Sequence, residues 1–170
     1  EAKENFCLAD VSTDKCLRES EFYFPMVSAN SSQLIKLLTE HRNTDCAGFS
    51  LDASSQKSLD NSLDKPSYKP QVSLPKGQKL KGMMHGFIDL IFEHNNKYYV
   101  CDYKSSFLGE HFQSYQHDTM RENIEKNHYD LQYLIYSLAL HRHLSYALDD
   151  YDVNKHFGGI YYLYLRGMSN

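Results

Sequence analysis

The order of patterned segments predicts an α/β domain with a mixed β-sheet covered by helices. Three observations carry that reading: two β-rich runs joined by an Asn-Asn turn, a pair of consecutive helical stretches after them, and a closing apolar run with strand character. The chain has 170 residues, 41% of them hydrophobic and 24% charged. That suffices for one packed domain and excludes global disorder. No apolar run approaches the ~18–20 residues of a membrane span, and no signal-peptide pattern opens the chain. A reduced, cytoplasmic setting is expected from the cysteines: Cys7, Cys16, Cys46 and Cys101 form no CxxC pair and no dense framework. The net charge of −4 supplies no global basic field, so a nucleic-acid partner would need a local groove or a positive neighbouring subunit.

Taken in chain order, the first element is "ESEFYFPMV" (Glu19–Val27), which alternates and is aromatic and predicts a strand ending near Pro25. "SSQLIKLLTEHR" sets Leu34, Ile35, Leu37 and Leu38 behind a Ser N-cap candidate and predicts a short helix. Residues 43–81 turn Ser-, Asp-, Lys- and Pro-rich, predicting a long surface loop region with a helical piece near Ser54–Leu63. "MMHGFIDLIFEH" and "KYYVCDYKSS" predict the two strands of a hairpin. Phe112–Asn127 predicts a polar helix and His128–Leu144 a helix with an apolar stripe of Leu131, Leu134, Ile135, Leu138 and Leu144. Phe157–Gly167 predicts a buried strand.

A two-residue turn at Asn95-Asn96 sets the hairpin register. His94 then faces Lys97, Phe92 faces Tyr99, Leu90 faces Cys101, and Asp89 falls opposite Asp102. Period-two alternation adds Lys104 to the same face, so one register gathers two carboxylates and an amine. A one-residue slip would divide them between faces. Two carboxylates so close need a shared proton or a cation between them. Hard oxygen donors with room for water favour Mg²⁺ or Mn²⁺ over zinc. A solvated ion-pair cluster is the plain alternative. The apolar neighbours Ile88, Leu90, Val100 and Cys101 argue against it, because they put the charges inside the sheet. By the same parity His85 shares the face of Asp89, although a solvated strand histidine is the preferred reading.

At these residues the chain resembles a known family. "GFIDL", twelve intervening residues between the aspartates, and "DYK" form the D…(D/E)xK signature of the PD-(D/E)XK nucleases. "GFIDLIFEHNNKYYVCDYKSSFLGE", "HYDLQYLIYSLALHRHL" and "HFGGIYYLYLRG" resemble the C-terminal nuclease domain of the RecB subunit of exodeoxyribonuclease V, over Gly82–Gly167. The resemblance implies a PD-(D/E)XK core and a chain, 1–170, that is a partial RecB-type nuclease domain with its motifs in 82–167. It implies Asp89 and Asp102 as acidic metal ligands, the Tyr103 backbone carbonyl as a further ligand, and Lys104 as the catalytic lysine. It implies Gln132 and Tyr136, one helical turn apart, as residues that orient the substrate, on a face distinct from the apolar stripe. Glu21, or Glu19 near it, would support the metal from the earlier strand.

The implied activity is that of an Mg²⁺- or Mn²⁺-dependent exodeoxyribonuclease of the exodeoxyribonuclease V beta subunit type, in a bacterial helicase–nuclease that processes double-strand breaks for recombinational repair. ATP would serve only parent helicase domains, since no Walker A sequence occurs in this chain. Implied partners are single-stranded DNA and linear duplex ends, RecC- and RecD-like subunits, and a strand-exchange recombinase, with no membrane. The family's upstream GxxxH histidine has no counterpart here, and the chain opens without Met. A piece of a longer protein is therefore expected, weakly active or inactive when isolated. Two other readings compete: a stand-alone phage or CRISPR-associated PD-(D/E)XK nuclease, and a domain used mainly for protein docking. Asp102→Ala or Lys104→Ala is expected to abolish cleavage with little effect on folding.

Remaining candidates carry less. His141 and His143 point apart on a helix and make no metal pair. The cysteine spacings of 9, 30 and 55 residues fit no iron–sulfur pattern, and Cys101 reads as core. Lys76, Lys79 and Lys81 read as a solvated loop cluster, and Tyr98, Tyr99 and Tyr103 as sheet packing.

Overall fold

The computed structural model describes residues 7–48 and 77–168. The chain divides into two units, Glu1–Pro25 with Gly82–Asn170, and Met26–Lys81. In chain order the elements are β1 (Cys16–Asn30), α1 (Ser31–Gly48), β2 (Lys79–His94), β3 (Lys97–Lys104), α2 (His117–Lys126), α3 (Tyr129–Ala147), the single turn α4 (Val153–His156) and β4 (Phe157–Tyr164). The sheet order is β1-β2-β3-β4, with β2 and β3 antiparallel and β3 and β4 parallel. This is the expected α/β arrangement with a mixed sheet and flanking helices, and it accords with a PD-(D/E)XK core.

β1 continues through Pro25 rather than ending there. It is an edge strand, where a residue lacking an N–H breaks no ladder on its open side. The start of α1 is capped by Asn30 rather than by a serine. Its Oδ1 accepts from the Ser32 N–H at 2.8 Å, while the Ser31 hydroxyl accepts from the Gln78 N–H at 3.0 Å. α1 runs six residues past Arg42, so the first part of the expected loop is helix, and Lys79–Lys81 belong to β2. The helical piece expected near Ser54–Leu63 lies outside the described residues.

The hairpin forms as its turn residues dictate. Asn95 and Asn96 both take positive φ, 50° and 63°, as a two-residue turn matched to strand twist requires. The register pairs His94 with Lys97, Phe92 with Tyr99 and Leu90 with Cys101.

The larger unit has apolar clusters on both faces of the sheet. On the helix side, Phe24, Ile88, Ile91 and Val100 pack with Tyr136, Ala139, Leu140 and Leu144 of α3. On the other side, Leu90, Phe92 and Cys101 pack together, covered by Leu8, Val11, Cys16, Tyr99 and Leu163. The buried face of α3 therefore runs Tyr136–Leu140–Leu144 at i, i+4, i+8, and Leu138 of the expected stripe is exposed. Gly86 of the GFIDL run allows a close approach: a Cβ there would come within 2.7 Å of the Phe22 ring. Among the described residues no helix is long and apolar enough to cross a membrane.

Candidate active site

Ile88 and Leu90 have the same parity, yet Ile88 packs on the helix side and Leu90 on the opposite side. The pleat of β2 therefore changes face between them, at Asp89. The antiparallel pairing with β3 stops at Leu90–Cys101, one step short of the expected Asp89–Asp102 pair. Asp89 takes over the ladder's role with its side chain: Oδ2 accepts the backbone N–H of Tyr103 at 2.9 Å. A carboxylate is thereby anchored where the two strands part.

Asp102 and Lys104 project from β3 into the helix-side layer. Both are buried, and Lys104 Nζ lies 2.6 Å from Asp102 Oδ2. Isolated charges are expensive in such a place, so each is held by several partners. Lys104 Nζ donates to Gln132 Oε1 at 2.6 Å, and Gln132 Nε2 donates to Asp102 Oδ1 at 3.3 Å. The same Nε2 donates to the Tyr136 hydroxyl at 2.8 Å, which in turn donates to the Phe87 carbonyl at 2.9 Å. Gln132 thus bridges the strand pair and the helix, with its oxygen facing the cation and its nitrogen facing acceptors. The Gln132–Tyr136 turn continues into the buried Leu140 face, so the polar pair lies on the core side of α3.

Two tyrosine rings also face the lysine. Nζ lies 3.7 Å from the Tyr129 ring centroid and 4.9 Å from that of Tyr162. The Tyr162 hydroxyl donates to the Tyr129 carbonyl at 2.6 Å. Tyr162 stands beside Asp102 in the parallel ladder, a placement that depends on the shift between Tyr98 and Tyr99. Nothing in the spacing of the sequence signals that neighbour. Tyr129, three residues before Gln132, was within reach of helix-face reasoning.

Burial, and then the charge of Asp102, push the Tyr136 hydroxyl up to about 12, and Tyr162 is raised for the same reasons. Both stay neutral donors across the physiological range. Burial pushes the Cys101 thiol up to about 11, in keeping with its place in the core.

Glu21 and His85 lie elsewhere. Glu21 Oε1 is 2.9 Å from His85 Nε2 and accepts from the Tyr23 hydroxyl at 2.6 Å. The rings of His85 and Tyr23 stack at 4.3 Å. β1 turns Phe22 and Phe24 toward the helix-side cluster, so Glu21 and Tyr23 project from the opposite face. The expected sharing of a face by His85 and Asp89 fails because β2 changes face at Asp89. Glu19 is exposed, with φ of 50°.

Among the described residues no three His, Cys, Asp or Glu side chains gather around a common metal position. Asp89 and Asp102, the two carboxylates here that could hold a metal, would offer only oxygen donors. That set suits a hard cation that keeps waters and takes substrate oxygens to complete its shell.

No protein-family model matches the chain. Curated relatives do match it. The RecBCD enzyme subunit RecB of Haemophilus influenzae is 37% identical over 162 residues, which is 95% of this chain and 11% of that protein. RecB of Buchnera aphidicola from Acyrthosiphon pisum is 32% identical over 166 residues, 97% of this chain and 12% of that protein. RecB of Escherichia coli K12 is 49% identical over 90 residues, 53% of this chain and 8% of that protein. The chain spans about a tenth of the length of these relatives. Aligned along nearly its whole length with one segment of those subunits, the chain belongs to the RecB family.

Proposed function

We propose that this chain is a divalent-metal-dependent nuclease domain that hydrolyses DNA phosphodiesters. The observation that carries the reading is the buried network of Asp102, Lys104, Gln132 and Tyr136 beside the anchored carboxylate of Asp89. Evolution rarely retains so many polar groups in a core without a task, since an apolar core costs less.

In this reading Asp89 and Asp102 hold Mg²⁺ or Mn²⁺, with the Tyr103 carbonyl as a further donor. The bound cation would neutralise the scissile phosphate and lower the pKa of a water. Lys104 keeps a positive charge at the point where negative charge develops on the phosphate, and orients the attacking water. Gln132 and Tyr136 hold Lys104 and Asp102 in place and align the strand, so that little reorganisation accompanies reaction. Glu21 and Glu19 take no part in this scheme.

By its RecB membership the domain would act within a longer bacterial, cytoplasmic helicase–nuclease of the exodeoxyribonuclease V type. ATP would drive unwinding in other domains, and RecC- and RecD-like subunits would deliver single strands and linear duplex ends during recombinational repair. Recruitment of a strand-exchange recombinase would be a separate docking role.

The test is degradation of end-labelled linear single-stranded DNA with Mg²⁺ or Mn²⁺. Cleavage by the wild type that is lost in Lys104→Ala and Asp89→Asn is the expected result. Equal cleavage by all three proteins would sink the assignment.

A further inference from the structure

The amine of Lys104 has four close neighbours. Asp102 and Gln132 take two of its three donor hydrogens. The faces of Tyr129 and Tyr162 lie against it as well. The two rings come from different elements, the first turn of α3 and the strand β4. They are tied to each other by the 2.6 Å bond from the Tyr162 hydroxyl to the Tyr129 carbonyl, which limits how the Tyr162 ring can turn. α3 itself begins after His128, whose left-handed backbone (φ 54°) sets the entry of the helix and so the position of Tyr129.

We propose that Tyr129 and Tyr162 are positioning residues that form an aromatic cage and hold the Lys104 ammonium at the place where the reacting phosphate must lie. A lysine has four rotatable bonds and ordinarily loses order readily. A carboxylate alone would draw it down onto Asp102 and compete with the substrate. Ring faces attract a cation without supplying a lone pair for a proton, so they confine the amine and leave its remaining donor hydrogen available. The inference rests on the nuclease reading for its purpose, while the cage itself is testable without any activity.

Two measurements on the full chain decide it. In a carbon–proton correlation spectrum, the Lys104 ε-methylene protons, identified by their loss in Lys104→Ala, are expected to be shifted upfield by the rings. Tyr129→Phe keeps that shift and Tyr129→Leu removes it. Tyr162→Phe retains its ring but loses the bond to Tyr129, so it changes the shift only in part. In the cleavage assay Tyr129→Leu is expected to lower kcat by about 10–100-fold with little change in KM and an ordinary melting curve. Tyr129→Phe recovers activity to within about threefold of wild type.

An unshifted Lys104 signal in the wild type overturns the cage. An unchanged kcat in a folded Tyr129→Leu protein overturns its positioning role. An upfield-shifted Lys104 in a wild type that cuts no DNA leaves the cage standing and counts against cleavage by this chain alone. If Tyr129→Leu fails to fold, an unaltered Lys104 signal and kcat in Tyr162→Phe count against the proposal.

Discussion

The two faces of the sheet each carry a basic side chain close to a carboxylate, and solvent makes the two pairs different objects. On the outer face His85 and Glu21 meet at 2.9 Å with 43% and 45% of their side chains exposed. On the helix side Lys104 and Asp102 meet at 2.6 Å with 9% and 5% exposed. Water screens the first pair and both partners can relax away from each other, so it adds little to stability. The second pair has no water to retreat into. Removing one partner leaves a buried charge, and every remaining contact (Gln132, the tyrosine rings) is organised around both ions. Proximity of opposite charges therefore says little until burial is known.

The strongest attempt to break this contrast is Asp102→Ala. It should abolish cleavage and, by stranding the Lys104 ammonium, destabilise the fold by about 3–5 kcal/mol in urea unfolding. The sequence alone suggested a silent effect on folding, because it could not show that the pair is buried. Next comes Leu140→Ala, beneath the same network at 1% exposure, with an expected loss of about 2–5 kcal/mol from the cavity. Cleavage should survive it in the folded fraction, since no polar partner is removed.

Tyr136→Phe should cost about 1–3 kcal/mol, because Gln132 and the Phe87 carbonyl both lose a partner. It also has a pH signature. The hydroxyl sits near 12 when folded against about 10 when unfolded, so between those values the folded state holds more protons. Its contribution is complete below pH ~10 and is lost as pH rises toward ~12. Chemical unfolding across that window should show stability falling with pH. Tyr136→Phe should make the fall shallower without removing it, since Tyr162 and Tyr164 are raised as well. The smallest effect is that of Glu21→Gln on the outer face, expected to leave the urea midpoint and cleavage almost unchanged. A loss comparable to that of Asp102→Ala would erase the distinction between the faces and return Glu21 to the site.

Much of this was readable from local pattern. The Asn95-Asn96 turn set the hairpin register down to Leu90–Cys101, because two positive-φ residues in tandem admit few alternatives. Strand parity grouped Asp102 with Lys104, the family resemblance added Gln132 and Tyr136, and the structure joins all four in one hydrogen-bonded network. Parity failed at Asp89, where β2 changes face, so His85 does not share the face of Asp89, while its preferred reading as a solvated strand histidine agrees with its exposure. The apolar stripe of α3 was misjudged as well. Leu138 is exposed while the Gln132–Tyr136 edge turns inward, because the helix orients to satisfy a buried ion pair as well as to hide leucines.

The sequence by itself determined the features that short-range geometry controls: strands and helices in order, the tight turn, the grouping of Asp102 with Lys104, and the turn-spaced Gln132 and Tyr136. Those features depend on backbone sterics and on the periods of strand and helix, which act over a few residues. The tertiary structure alone decided the change of face at Asp89, the burial that gives the Lys104–Asp102 pair its weight, and the meeting of Tyr129 with Tyr162 around the amine. Each of these depends on residues tens of positions apart packing together. Desolvation and ring contacts are properties of the packed assembly, and no window of sequence contains them.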